Sequence, residues 1–327
     1  MPSPACYRTD MKQKPVILSG VKPTGDMHIG NYFGALRQFV ELANAGEHEV
    51  FIMVADYHAL NFIQDKEEMK RLTRELAMSY IAAGLDPKKV AIFKQSDIAA
   101  HTELAWIFDT ITTIPYLERA HAYKDAEAKG RETSVGTFNY PMLMAADILL
   151  YDTALVPVGQ DQKQHIEYAR DTAEKFNRIF GETFRLPKEY IMEEVATVPG
   201  IDGQKMSKSY GNIIRMFAPK EELAERVMSI VTDSSGERPE HVYAMHKLIR
   251  DEKELAAFYE VHKGKYKALK EALIDDLDAF LGPMRVRYET LRKDPRKIDA
   301  ILRDGAKRAQ KAADRKMEEV RRAIGVR

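Results

Sequence analysis

The chain has 327 residues, with 50 Lys and Arg against 50 Asp and Glu, so its formal net charge is zero. At 45% apolar and 31% charged, it is neither disordered nor fibrous, and its length suits two domains. A single cysteine, Cys6, excludes a disulfide framework, an iron–sulfur cluster and a thiolate zinc site within one chain, and fits a reducing compartment. No apolar run reaches 18 residues, because Asp147 and Asp152 break the stretch 140–159, so no membrane span is expected. Residues 1–14 read as a loose tail without the apolar core of a signal peptide.

The first expected strand is 16–19, followed by a turn-rich segment from Gly20 to Gly25. Ile29, Tyr32, Phe33, Leu36 and Val40 then recur at helical spacing. A second strand, 50–55, is almost wholly apolar, as a strand buried on both faces should be. Asp65 and Glu68 have the spacing of a capping box, and Gly84 is placed to end the helix they begin. Strands at 90–93 and 154–158 and helices near 100–112 and 161–180 complete an alternation that implies a parallel sheet with crossover helices. After about residue 212 strand signals stop, and Asp294-Pro295 opens a long final helix whose stripe includes Ile298, Leu302, Ala309, Met317 and Val320. The expected organisation is a tail (1–14), a Rossmann-like, doubly wound parallel α/β domain (15–212) and an all-α region (213–327).

Charge is unevenly spread. Residues 281–327 hold 15 basic and 7 acidic side chains, a surplus of eight that the rest of the chain offsets. Charge alone leaves two readings open: a solvated helical surface, or an electrostatic footprint for a polyanion.

Open α/β sheets bind ligands beyond the carboxyl ends of their strands, which directs attention to the loop after the first strand. It contains no P-loop and no Gly-x-Gly-x-x-Gly fingerprint. It does offer His28 and the backbone N–H groups of a helix start, which suit a phosphate, although a lone loop histidine is more often an ordinary surface residue. The second place is Lys205-Met206-Ser207-Lys208-Ser209, flanked by Gly200, Gly203 and Gly211. Two lysines and two hydroxyls in such a loop could clamp a polyphosphate.

Together these motifs resemble the two signatures of class I aminoacyl-tRNA synthetases. His28-Ile29-Gly30-Asn31 is similar to their HIGH motif, and residues 205–209 read KMSKS letter for letter. Residues 140–151 and 156–162 resemble the tryptophanyl-tRNA synthetases, bacterial type, and the likeness extends over nearly the whole chain.

The resemblance implies a ligase that activates L-tryptophan with ATP and Mg²⁺ and charges tRNA(Trp), as a cytoplasmic homodimer whose helical region binds the tRNA anticodon. It implies Asp147 as acceptor for the indole N–H, with Met144, His58, Val156, Val158 and Leu18 around the ring, and Tyr140 and Gln162 near the amino group. For ATP it implies Lys22, Pro23, Thr24, Gly30, Asn31, Gly159, Gln160, Asp161, Val195 and the residues Lys205, Met206, Ser207, Lys208 and Ser209. His28, Lys205, Ser207 and Lys208 would serve the chemical step, with Mg²⁺ held mainly by ATP phosphates.

Two departures stand out: Lys22 replaces a glutamine of many bacterial members, and Ala126 stands where they carry a phosphate-binding lysine. The expectation is that Lys22 restores part of that charge. The nearest alternative is a tyrosyl-tRNA synthetase, since a phenol O–H and an indole N–H can both meet an aspartate. A nucleotidylyltransferase is a more distant one.

Overall fold

The computed structural model describes residues 14–23, 25–120, 123–124, 133–158, 163–191, 198–232 and 238–327. Five strands, β1 (Val16–Val21), β2 (Glu49–Val54), β3 (Val90–Lys94), β4 (Leu155–Val158) and β5 (Lys188–Ile191), form one sheet in the order β3-β2-β1-β4-β5. Every pairing is parallel, with Val16 opposite Glu49, Val50 opposite Val90 and Ile17 opposite Leu155. Four strands lie where apolar runs place them. β5 was not expected, because Lys188-Glu-Tyr-Ile191 is polar; it occupies an edge, which needs no continuous apolar run.

Side chains alternate between the faces of a strand, and the core divides accordingly. Ile17, Val50, Ile52 and Val54 join one buried cluster, whereas Leu18, Phe51, Met53 and Phe93 join the other. The second layer is built by α5 (Ala100–Ile111), α7 (Val135–Leu149) and α8 (Lys163–Phe180), with the short α6 (Ile114–Leu117) between α5 and α7. On the first layer, α4 (Lys66–Ala82) starts as expected, with the Asp65 carboxylate accepting from the Glu68 N–H at 2.7 Å, and Gly84 follows it at φ +118°. The expected helix after β1 is real but interrupted. It runs as α1 (Ile29–Asn31), a π-helical turn (Tyr32–Leu36) and α2 (Arg37–Asn44), and the short α3 (Asp56–Ala59) follows β2.

Beyond residue 212 the described elements are helical: α9 (Lys220–Met228), α10 (Glu240–His246), α11 (Glu252–Val261), α12 (Tyr266–Arg292) and α13 (Pro295–Ala323). The change of element type at 212 does not coincide with a break in the core. Leu273, Leu277 and Leu281 of α12 are buried in the same cluster as Ile17 and Ile52. Asp294 stands at the start of α13, but its side chain makes no capping bond; Pro295 supplies the first turn.

Helix α13 returns to the sheet and crosses its β3 edge. Ile298 and Leu302 belong to the first cluster; one turn and more further on, Ala309, Ala313, Met317 and Val320 belong to the second. The crossing point is Gly305, where a Cβ would fall 1.9 Å from the Ile92 carbonyl oxygen. Only glycine allows that approach, and the helix thereby covers an edge that would otherwise offer unpaired backbone groups. Arg74–Asp299 (3.0 Å) and Arg308, which donates to the Lys89 carbonyl at 3.3 Å, tie the same helix down. Gly305→Val should therefore cost about 1–3 kcal/mol or more in denaturant melts, as overpacking does; an unaltered midpoint would mean that α13 does not rest on β3.

Candidate active site

A cavity of about 760 Å³ opens at the carboxyl ends of β1 and β4, where the strand order reverses. Its mouth is polar and cationic and its floor largely apolar. Lys22, Gly25, Gly30, Asn31, Lys205 and Lys208 line the mouth. Leu18, Met53, His58, Tyr140, Met144, Asp147, Ile148, Val156 and Ile166 line the deeper part.

The mouth exists because two loops distant in sequence are zipped together. The Ile29 N–H donates to the Ile214 carbonyl at 3.0 Å, and the Met216 N–H to that of Met27 at 2.9 Å. Arg215 bridges the same seam, reaching Asp26 at 3.1 Å and Glu222 at 2.7 Å. Gly30 sits under the closure, where a Cβ would lie 2.9 Å from His28 Nδ1 and 3.2 Å from Met206 Cβ. Behind it the π-helical turn, marked by the Tyr32 carbonyl accepting from Arg37, leaves Gly34 and Ala35 exposed on the cavity wall.

The loop 205–209 is held from within by Asn212, which is 2% exposed. Its Oδ1 accepts from the Ser207 N–H at 2.8 Å, while its Nδ2 donates to Asp202 at 2.7 Å and to the Lys205 carbonyl at 3.2 Å. Gly200 is glycine because a Cβ there would lie 2.3 Å from Asn212 Nδ2. Met206 is buried and anchors the loop, and Ser207 and Ser209 bond each other at 2.9 Å.

His28 lies beneath this seam, buried, with no hydrogen-bond partner for Nδ1 among the described residues. Burial, and then the charge of Lys208, pull its pKa down to about 4, so the ring is neutral near pH 7. The Lys208 ammonium is itself lowered by burial, against the raising effect of Asp26. Lys22 holds its ammonium 5.1 Å above the ring of Phe62, at the cavity rim.

The floor is organised around Asp147 on α7, 3% exposed. Gln95 Nε2 donates to both carboxylate oxygens, at 2.8 and 3.0 Å, and His58 Nε2 lies 3.0 Å from Oδ2. His101 Nδ1 comes within 2.7 Å of Oδ1, at ion-pair distance though without hydrogen-bond alignment. Burial opposes the Asp147 charge, but the His101 and His58 contacts outweigh it and bring the pKa down to about 2. Tyr140 stands edge-on to His58, 6.2 Å between ring centres.

The structure thus brings Lys22, Gly30, Asn31, Lys205 and Lys208 to one end of the cavity, and Leu18, His58, Tyr140, Met144, Asp147 and Val156 to the other. It does not bring His28, Pro23, Met206, Ser207 or Ser209 to the wall; Pro23, His28 and Met206 are buried. Thr24, Ala126, Gly159, Gln160, Asp161, Gln162 and Val195 lie outside the described residues, as does the side chain of Val158. Sequence reasoning missed Gln95, His101 and Asn212. The first two follow the carboxyl end of β3, a position that marks polar residues for attention.

Residues 10–287 match the family model of class I tRNA synthetases (W and Y), and the chain belongs to that family. Within it the chain groups with the tryptophan–tRNA ligases. That of Fusobacterium nucleatum is 44% identical over 318 residues, 94% of this chain and 97% of the relative. That of Campylobacter jejuni is 43% identical over 319 residues, 95% and 99% of the two chains. The crystal structure of Campylobacter jejuni tryptophanyl-tRNA synthetase complexed with ADP and tryptophan superposes at a TM-score of 0.89 and 41% identity, covering 95% of this chain and 99% of that one. A tyrosyl-tRNA synthetase from Archaeoglobus fulgidus, 22% identical with a TM-score of 0.64, shares the fold.

Two pH effects follow from the site. His28 should titrate near pH 4 in ring NMR signals, and Lys208→Met should raise the midpoint only partly, because burial is the larger cause. The depressed Asp147 pKa adds stability that is present above the ordinary carboxyl value of 3.8 and is lost as pH falls through about 2. Acid melts of the wild type and Asp147→Asn should therefore converge below that range.

Proposed function

We infer that this cavity activates tryptophan with ATP and that the enzyme then transfers it to the 3′ end of tRNA(Trp). The observation that carries the reading is the polarity of the cavity, with lysines at its mouth and a buried, ionised acceptor at its floor. The indole ring lies among Leu18, Met144 and Val156, and its N–H meets Asp147. A site built on a buried acceptor rejects ligands that leave it unpaired. The triphosphate lies across Lys22, Lys205 and Lys208, with the glycine at 25 leaving room beside the backbone.

The tryptophan carboxylate attacks the α-phosphorus in line, giving tryptophanyl-adenylate and pyrophosphate. The terminal adenosine of the tRNA then attacks the activated carbonyl through its 2′-hydroxyl, releasing AMP. No covalent nucleophile is required; positioning and neutralisation of phosphoryl charge supply the catalysis. His28, neutral and seated under the seam, positions the loop that carries Gly30 and Asn31. The mouth is lined by lysines, which repel a metal ion. Mg²⁺ accordingly enters as the counter-ion of the ATP phosphates and not in a protein cage.

The enzyme works as a cytoplasmic homodimer. Support for the dimer comes from Trp106 and Val135, 69% and 80% exposed on the neighbouring helices α5 and α7, where Asn139 and Asp109 bond at 2.7 Å. Among the described residues no helix is long and apolar enough to cross a membrane.

Amino-acid-dependent ATP–pyrophosphate exchange should occur with tryptophan and not with tyrosine, and Asp147→Asn should lower kcat/KM for tryptophan about 100-fold, roughly 3 kcal/mol. Equal exchange with both amino acids would refute the reading. The helical region holds the tRNA through exposed cations at the α12–α13 junction. Lys293→Glu with Arg296→Glu should leave exchange intact while weakening tRNA charging and flattening its salt dependence; unchanged charging at low salt would assign those residues to a solvated surface.

A further inference from the structure

Of the three side chains around the Asp147 carboxylate, His58 alone lines the cavity; Gln95 and His101 approach from behind, each 0% exposed. Their arrangement removes the freedom of the carboxylate to turn. The Gln95 amide has a fixed orientation, because Nε2 donates to both Asp147 oxygens while Oε1 faces the His58 backbone N–H at 3.4 Å. His101 is fixed by Tyr151, whose hydroxyl lies 2.8 Å from Nε2. In the neutral ring that hydroxyl donates to Nε2 and so leaves the Nδ1–H facing Asp147. The His101 ring also lies stacked on Phe93, and the Tyr151 ring on Phe51.

Both ends of this relay are clamped from outside by the last helix. Arg321 Nε reaches Glu103 at 2.7 Å, two residues beyond His101 on α5. Lys316, 3% exposed, reaches Asp152 at 2.7 Å and the Thr183 carbonyl at 2.9 Å. Asp152 follows Tyr151 directly and holds a left-handed φ of +50°, a conformation that a non-glycine residue keeps only when its surroundings enforce it.

We propose that Gln95, His101 and Tyr151 are positioning residues that fix the Asp147 carboxylate for the indole N–H, with Lys316 and Arg321 of the last helix holding the relay in register. The inference rests on the tryptophan reading above and extends it from the acceptor to the groups that aim it. A hydrogen bond aimed in this way contributes only for a ligand that can donate. Loss of the aim should therefore cost tryptophan more than an isostere without the N–H.

The test is ATP–pyrophosphate exchange with tryptophan and with 3-(benzothiophen-3-yl)alanine, in which sulfur replaces the indole N–H. The full-length wild type should prefer tryptophan strongly by kcat/KM. Tyr151→Phe, which removes one oxygen atom, should reduce that preference about tenfold with the KM for ATP unchanged. His101→Phe should reduce it further, and Lys316→Met about threefold. If both amino acids lose activity in proportion, so that the preference stays constant, the residues only support the fold and the proposal is overturned. Tyr151→Phe keeps the test available should the His101 variant fail to fold. A wild type that activates no tryptophan would instead refute the functional reading, and the relay with it.

Discussion

A carboxylate buried to 3% exposure in an apolar helix cannot persist alone, and the architecture around Asp147 follows from that constraint. Its segment, Met142 to Leu150, would otherwise be an ordinary core helix packed on the sheet. Placing a charge there obliges other elements to supply polar partners, and they come from three places: α3 with His58, the turn after β3 with Gln95, and α5 with His101. Each element must in turn be held in register, which couples the pocket floor to packing well away from it. The low pKa of Asp147 reports that the partners more than offset burial.

The mouth obeys a different constraint, that of bringing two cationic loops close enough to share one anionic ligand. Like charges at Lys22 on one loop and at Lys205 and Lys208 on the other repel, so backbone bonds must carry the closure, and the antiparallel zipper of residues 27–29 with 214–216 does so. Glycines at 30 and 200 are needed where side chains of the facing segment intrude. Asn212 then does for the loop 205–209 what Gln95 does for Asp147: one buried amide, its ends fixed by distinct partners, sets the orientation of a functional segment.

The strands were legible because a strand buried on both faces has no choice of composition, and the two loops because their residues are unusual at that spacing. Asp147 stood out as a charge inside Met142–Leu150. Gln95, His101 and Tyr151 did not, since nothing local distinguishes a polar residue that faces a partner 50 positions away. β5 escaped notice for the opposite reason: an edge strand is permitted the polarity of Lys188 and Glu189. The glycine at 305 reads as a helix weakness in sequence, and becomes intelligible only once Ile92 of the sheet edge lies beneath it.

The neutral total and the basic terminus also change meaning in three dimensions. A surplus of eight cations suggests a uniform positive flank, but several of those side chains face the protein. Arg287 donates to the Ala82 carbonyl at 2.9 Å, Arg308 to that of Lys89, and Lys316 and Arg321 pair with Asp152 and Glu103. A buried lysine such as Lys316 is tolerable only because it is paired, so it contributes almost nothing to a long-range field. The positive field is therefore carried by exposed side chains such as Lys293, Arg296, Lys297, Lys307 and Lys311, with Arg315 and Arg322 further along α13. The same helix thus divides its charges by face: Lys316 and Arg321 turn inward and fasten the relay behind Asp147, and the exposed cations face outward, open to a polyanion.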